Sequence, residues 1–248
     1  MAGSDGPLDA RRPAFYALER GGWRDYVTLL HLPYTAWHLS YVVVGGCLAA
    51  SVAWGRLGLT VLAFALAMGI GAHALDELRG RPLRTAIPSS VLVGLAVASI
   101  AAASAIGLAV AVEATLWIVP LVALGALLVP AYNLELLGGR VHTDLGFGLA
   151  WGAFPLVTAY VAQTGSLSWE AALAAAWATL LSLAQRQLSR AARRVRRDVA
   201  SVEGRVVHSD GTSETLERAT IAAAPEAALR LLTASTVAIA AALVALRF

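Results

Sequence analysis

The sequence predicts an all-α, polytopic membrane protein: a helical bundle of about seven transmembrane helices with one small cytoplasmic β-hairpin inserted near its end. Three observations predict it. Hydrophobic residues fill 58% of the 248 positions and charged residues only 14%. With a mean hydropathy of +0.68, the chain lies far outside the composition of a soluble domain. Apolar stretches of the roughly 20 residues needed to cross hydrocarbon recur along its length. The arginines, finally, gather on alternate connections.

The elements follow in order. Residues 1–30 form a cytoplasmic N-terminal segment without a continuous apolar run, so no cleaved signal peptide is expected there. Spans are expected at about 34–54, 57–75, 88–112, 114–134, 144–163, 168–188 and 226–246, with residues 31–190 as the helical core and 226–248 as the C-terminal transmembrane segment. Only a short turn around Glu113 separates the third span from the fourth, so the two form a tight hairpin, and Pro120 and Pro130 are expected to kink the fourth. Residues 191–225 are the one sizeable polar piece. After the basic helix end "RQLSRAARRVRRD", the stretch "SVEGRVVHSDGTSETLERATI" alternates apolar and polar residues about Asp210-Gly211, a common type I′ turn pair. A lone hairpin is marginal in water, so it is expected to lean on the cytoplasmic loops or, through its arginines, on anionic headgroups.

Charge sets the orientation. Arg11, Arg12, Arg20 and Arg24 precede the first span, Arg79, Arg81 and Arg84 follow the second, Arg140 follows the fourth, and a run from Arg186 to Arg218 surrounds the end of the sixth. The opposite side carries little beyond Arg56, Glu113, Glu170 and Arg247. The N-terminus is therefore expected in the cytoplasm and the chain in a bacterial plasma membrane, with the C-terminus outside. The basic pI of 9.4 is read as topology, not as nucleic-acid binding. A single cysteine, Cys47, excludes an intrachain disulfide.

Polar groups inside the apolar stretches are the candidate site. Tyr34, His38 and Tyr41 are spaced to share a helix face, which reads either as an interfacial aromatic belt or as a cavity wall. His73, Asp76 and Glu77 gather where the second span leaves hydrocarbon, and two carboxylates with an imidazole suit a divalent cation. Arg79, Arg81 and Arg84 just beyond them are bidentate donors for phosphate oxygens; the alternative is a solvated helix end. Asn133 ends the fourth span as a candidate ligand. Thr143 and Asp144 are expected to cap the fifth span, and Gly146, Gly148 and Gly152 to give it a small packing face. The sixth span ends in Gln185, Arg186, Gln187, Ser189 and Arg190, with no acid expected near them.

With these residues in view, the chain resembles the UbiA superfamily of intramembrane prenyltransferases. The resemblance covers roughly residues 30–190 and rests on three stretches: "HLPYTAWHLSYVVVGG"; "AHALDELRG" followed by "RPL", on which the family pattern NDxxDxxxD places its middle aspartate at Asp76; and "AYNLELLGGRVHTDLGFGLAWGAFPLVTAYVAQTG". Ala72, His73 and Gly80 replace the other motif residues, and the second acidic motif falls on "QRQLSRAAR", which contains no acid. The resemblance implies a UbiA-like bundle around a cavity that takes an isoprenoid diphosphate from the membrane. It implies Asp76 and Glu77 as ligands of one Mg²⁺, with His73 beside them in the catalytic cluster. Arg79, Arg81, Arg186, Arg190 and Asn133 would hold the diphosphate, while Tyr34, His38 and Tyr41 face the allylic cation. The reaction implied is prenyl transfer to a lipophilic acceptor, or cyclisation of the isoprenoid. The alternative from another class is a non-catalytic UbiA-like protein that binds a lipid, or a partner enzyme through residues 190–225.

Overall fold

Long runs of Ala, Leu, Val and Gly offer backbone groups no partner but one another, and in an apolar surrounding a helix is the way for a single segment to satisfy them all. The computed structural model describes residues 12–247; Met1–Arg11, with the Arg11 of the charge count, and Phe248 lie outside the described residues. It is mostly helical. We number the helices α1 (Trp23–Leu29), α2 (Leu32–Cys47), α3 (Trp54–Leu78), α4 (Ser89–Glu113), α5 (Ile118–Asn133), α6 (Asp144–Thr164), α7 (Trp169–Arg197) and α8 (Arg218–Leu246). A helix lies in each stretch expected to span, but the first, α2, stops at Cys47, short of the expected 54, and neither α2 nor α7 is among the helices long and apolar enough to cross. Four of them, α3, α4, α6 and α8, are long and apolar enough to cross a membrane, and α5 is a shorter apolar helix.

The differences from expectation have local causes. α1 was not expected, because its seven residues carry too little periodicity to stand out. Pro120 falls in the first turn of α5, where its missing N–H is no loss, so only Pro130 lies inside that helix. Thr143 caps α6 by accepting from the Gly146 N–H at 2.9 Å; Asp144 is used elsewhere. α7 runs past the apolar segment to Arg197, and α8 starts at Arg218, so the polar segment is shorter than 191–225.

Two turns depart from α-geometry. Ala65–Ala72 within α3 and Leu149–Ala153 within α6 are π-helical, a widening found often near functional sites. Nothing in a hydrophobic periodicity announces them.

α2 packs along α6 and α8, α7 along α6 and α8, and α3 along α4, which in turn packs on α5. Small residues set the closest approaches. A Cβ at Gly45 would stand 2.1 Å from the Leu156 carbonyl oxygen of α6, and one at Gly152 would stand 2.5 Å from that of Ala178 on α7. Gly148 also faces α7, whereas Gly146 closes on the carbonyl of Val141 in its own turn and is no packing surface. The main core gathers Phe64, Met68, Leu92, Tyr132 and Trp151. Trp37, Tyr41 and Leu156 form a second core between α2, α6 and α7.

An ion pair ties α7 to α8. Arg196 meets Glu226 with two hydrogen bonds, Nη2 to Oε2 at 2.8 Å, and the side chains are 7% and 3% exposed. Removing one partner strands a buried charge. Arg196→Ala is expected to cost about 3–5 kcal/mol in thermal unfolding of the detergent-solubilised protein, and Arg196→Met with Glu226→Leu to recover most of it. A single mutant as stable as the native chain would refute this.

The hairpin pairs β1 (Arg205–Val207) with β2 (Ser213–Thr215), antiparallel, with Val206 opposite Glu214. Its turn is not the two-residue type I′ expected. Gly211 has a positive φ of 87° but Asp210 does not, and the loop closes over 208–212 through His208 N–H to Thr212 O at 2.8 Å and Gly211 N–H to His208 O at 3.0 Å. The Asp210 carboxylate fixes this shape by accepting from the Thr212 N–H and hydroxyl at 2.9 and 2.7 Å. Both strands are exposed along their length, so of the two supports expected the hairpin does not use the loops.

Candidate functional site

A cavity of about 310 Å³ opens among α2, α3, α5, α6 and α7. One wall is cationic. Arg186, Arg190, Arg193 and Arg197 recur along α7 at helical spacing and so share its cavity-facing side. Arg186 donates Nε to Asp144 Oδ1 and Nη1 to the Tyr132 hydroxyl, each at 2.6 Å, and lies 5.0 Å over the Phe147 ring. Arg190 pairs with the same carboxylate, and Gln187 reaches it at 3.3 Å. An acid does therefore stand beside the end of the sixth span. Asp144 comes from the start of α6, a contact across 42 residues of chain that sequence spacing does not reveal.

Further along, Arg197 donates to the Pro13 carbonyl at 3.3 Å. Burial, and after it the neighbouring Arg193 charge, pulls Arg197 below the usual arginine range. The Arg193 side chain makes no hydrogen bond or ion pair with another described residue, nor does the Asp76 carboxylate, which also lines the cavity. Gln185 is buried, and its Oε1 has no partner among the described residues.

The other walls are imidazoles and aromatic rings. His31 and His73 stack with centroids 4.0 Å apart and planes 14° apart. His73 donates Nδ1–H to Gly69 O at 3.1 Å, and His38 donates Nδ1–H to Trp151 O at 2.8 Å; a carbonyl can only accept, which fixes the tautomer. Each of those carbonyls belongs to a π turn. The Tyr34 hydroxyl donates to Ser189 Oγ at 3.3 Å. Tyr16 packs edge-on to Tyr34 at 5.4 Å and beside His31 at 5.3 Å, bringing the N-terminal segment over this end of the cavity.

Of the residues proposed from the sequence, Tyr34, His38, His73, Asp76, Asn133, Arg186 and Arg190 converge on the cavity. Asn133 is tied to Val129 O by its amide at 2.7 Å. The others lie elsewhere. Glu77 is fully buried and accepts from Leu83 N–H at 2.9 Å and from Thr85 N–H and Oγ1–H, both at 2.8 Å, so its carboxylate organises the loop after α3. Arg79 donates to Leu134 O and to Glu135 at 2.7 Å, and Arg81 to Ile87 O and Ser89 Oγ, bracing loops rather than facing the cavity. Tyr41 accepts from Trp37 Nε1 at 2.6 Å and from Ser182 at 3.3 Å in the second core. Adjacent residues on a helix point about 100° apart, so Asp76 and Glu77 cannot act as one cluster.

These placements bear on the Mg²⁺ expected from the resemblance. Asp76 supplies one unengaged carboxylate. Glu77 is occupied, Glu135 pairs with Arg79, and no group of three His, Cys, Asp or Glu among the described residues could hold a metal ion. Among the described residues that leaves Asp76 without the carboxylate partner that the expected pair requires. Sequence reasoning missed Arg193, Arg197 and His31; extending the Arg186–Arg190 spacing along α7 would have found the first two.

A second cavity, about 80 Å³ and almost wholly apolar, lies between α3, α4, α5 and α6, and shares Met68 and Trp151 with the first.

His31, just before α2, gives a pH test. Burial, and then the stacked His73, hold it well below the usual histidine range. The unfolded chain therefore takes up a proton that the folded chain refuses. The stability that depends on neutral His31 is complete above about pH 6.5 and declines as pH falls below it. His31 adopts a left-handed backbone, φ 45°, which asparagine tolerates. His31→Asn is expected to flatten the melting temperature against pH between about pH 5 and 7; an unchanged slope would remove His31 as the cause.

Comparison with protein-family models, with curated proteins and with solved structures returned no match.

Proposed function

We propose that the chain is an integral membrane enzyme of UbiA type that acts on an isoprenoid diphosphate, passing the prenyl group to a lipophilic acceptor or cyclising it. One observation carries this reading: a single cavity joins an arginine stripe, one unengaged carboxylate and a wall of aromatic rings, and it adjoins an apolar cavity across Met68 and Trp151. Such an arrangement suits an amphiphile with an anionic head and a hydrocarbon tail.

The chemistry follows from the same groups. The allylic C–O bond breaks and its electron pair leaves with the diphosphate, whose growing charge the guanidinium groups stabilise. The resulting allylic cation faces the rings of Tyr34, Phe147 and Trp151, which stabilise positive charge by their π faces. A carbon of the acceptor, or a double bond of the same chain, forms the new C–C bond. The proton it then loses passes to Asp76.

The arginine pattern supports a seven-span arrangement in which α2, α5 and α7 join the four longer helices, with the N-terminus and the arginine-lined end of the cavity at the cytoplasmic face. The test is direct. Protein reconstituted in nanodiscs is incubated with labelled prenyl diphosphates of several chain lengths, with and without a lipophilic phenol. Release of pyrophosphate with a labelled product is expected. No release across the panel would sink the enzyme and leave a protein that binds a lipid or a partner.

A further inference from the structure

We propose that the diphosphate is held without a metal ion, directly by the guanidinium groups of α7. This rests on the reading above and departs from the metal that the resemblance implies.

Charge is the first argument. Arg79 and Glu135 cancel one another. Asp144 offsets only one of Arg186 and Arg190. Asp76 offsets only one of Arg193 and Arg197. The cavity and its rim therefore keep an excess of two positive charges, against the roughly two to three negative charges of a diphosphate monoester. Protein charge alone brings the pair close to neutrality. The charges of Arg193 and Arg197 oppose one another, and an anion shared by the two would relieve that repulsion.

Geometry is the second. Mg²⁺ needs near-octahedral oxygen ligands and normally takes one or two carboxylates together with the phosphate oxygens. Among the described residues Asp76 is the one unengaged carboxylate lining the cavity, and the charges of Arg193 and Arg197 both act on it, so a divalent ion there would meet two cations. Glu77, the neighbour that would complete a pair, is locked onto the 83–85 backbone. Guanidinium groups need no such cage. Each binds phosphate oxygens through parallel N–H donors, and spacing along one helix face lets successive arginines take successive oxygens. Arg193 has every donor available to a ligand among the described residues.

The experiment titrates the full chain in nanodiscs with inorganic pyrophosphate and, separately, with a non-hydrolysable prenyl thiolodiphosphate. Each titration is run in excess EDTA and in millimolar Mg²⁺. Affinities within about threefold of one another are expected, and Arg193→Gln should weaken binding in EDTA by about tenfold, whereas Arg194→Gln, which does not line the cavity, should not. Binding that appears only with Mg²⁺ would overturn the metal-free clamp and leave the enzyme reading standing. An Arg193→Gln protein that binds like the native one would also overturn it. Failure of both probes under both conditions would remove the diphosphate reading itself.

Discussion

Asp76→Asn is expected to lower turnover by about 10²–10⁴-fold while prenyl diphosphate binding is retained or tightens, because a general base contributes about that much to rate and little to binding of the other substrate. Asp76 lines the cavity, its carboxylate without a hydrogen bond or ion pair to another described residue, and α7 brings Arg193 and Arg197 within electrostatic reach of it. On the proposed reading, its loss removes the proton acceptor. It also removes one negative charge from a chamber proposed to receive a diphosphate, which is why affinity is expected to hold or rise. Single-turnover rates and equilibrium binding on the same preparation separate the two effects. If turnover and binding fall together, Asp76 serves the diphosphate and not the proton. If neither changes, it has no part in the site.

Glu77→Ala is expected to have the opposite signature: a loss of about 3–5 kcal/mol in stability with no defect peculiar to chemistry. Two backbone N–H groups and one hydroxyl depend on this one carboxylate at a site closed to solvent, and alanine would orphan all three. Glutamine keeps one acceptor oxygen but sets an NH₂ against an N–H, so an intermediate loss is expected. Thermal melts of Glu77→Ala and Glu77→Gln beside Asp76→Asn make the comparison. A stable Glu77→Ala protein that has lost turnover would contradict the structural role and restore Glu77 to the site.

This contrast between neighbours marks the limit of what the sequence carries. Apolar length suffices to locate the long helices, because in a membrane the backbone has few other options. The polar residues at their ends are harder, since composition groups them and only the direction of each side chain sorts them. Asp76 and Glu77 look interchangeable until helix phase turns one inward and the other onto a loop. Asp144 reads as a cap until α7 passes beside it. The arginine stripe was half legible: Arg186 and Arg190 stood out against an apolar span, but Arg193 and Arg197 were masked by the wholly basic run around them. Neither Tyr16 nor His31 carries a signal, because their place over the cavity depends on how the N-terminal segment folds back.

The π turns of α3 and α6 make the site depend on chain length as well as residue identity. A π turn is what a helix forms when it absorbs one residue more than its ladder needs, and the residues beyond it keep their register. Deleting one residue within 65–72 or 149–153 would thus leave the core packing largely in place and return the Gly69 or Trp151 carbonyl to a regular helix ladder. The imidazole that depends on it, His73 or His38, would lose its anchor while every side chain of the cavity remained present. A library of substitutions would never sample that change; a one-residue deletion would.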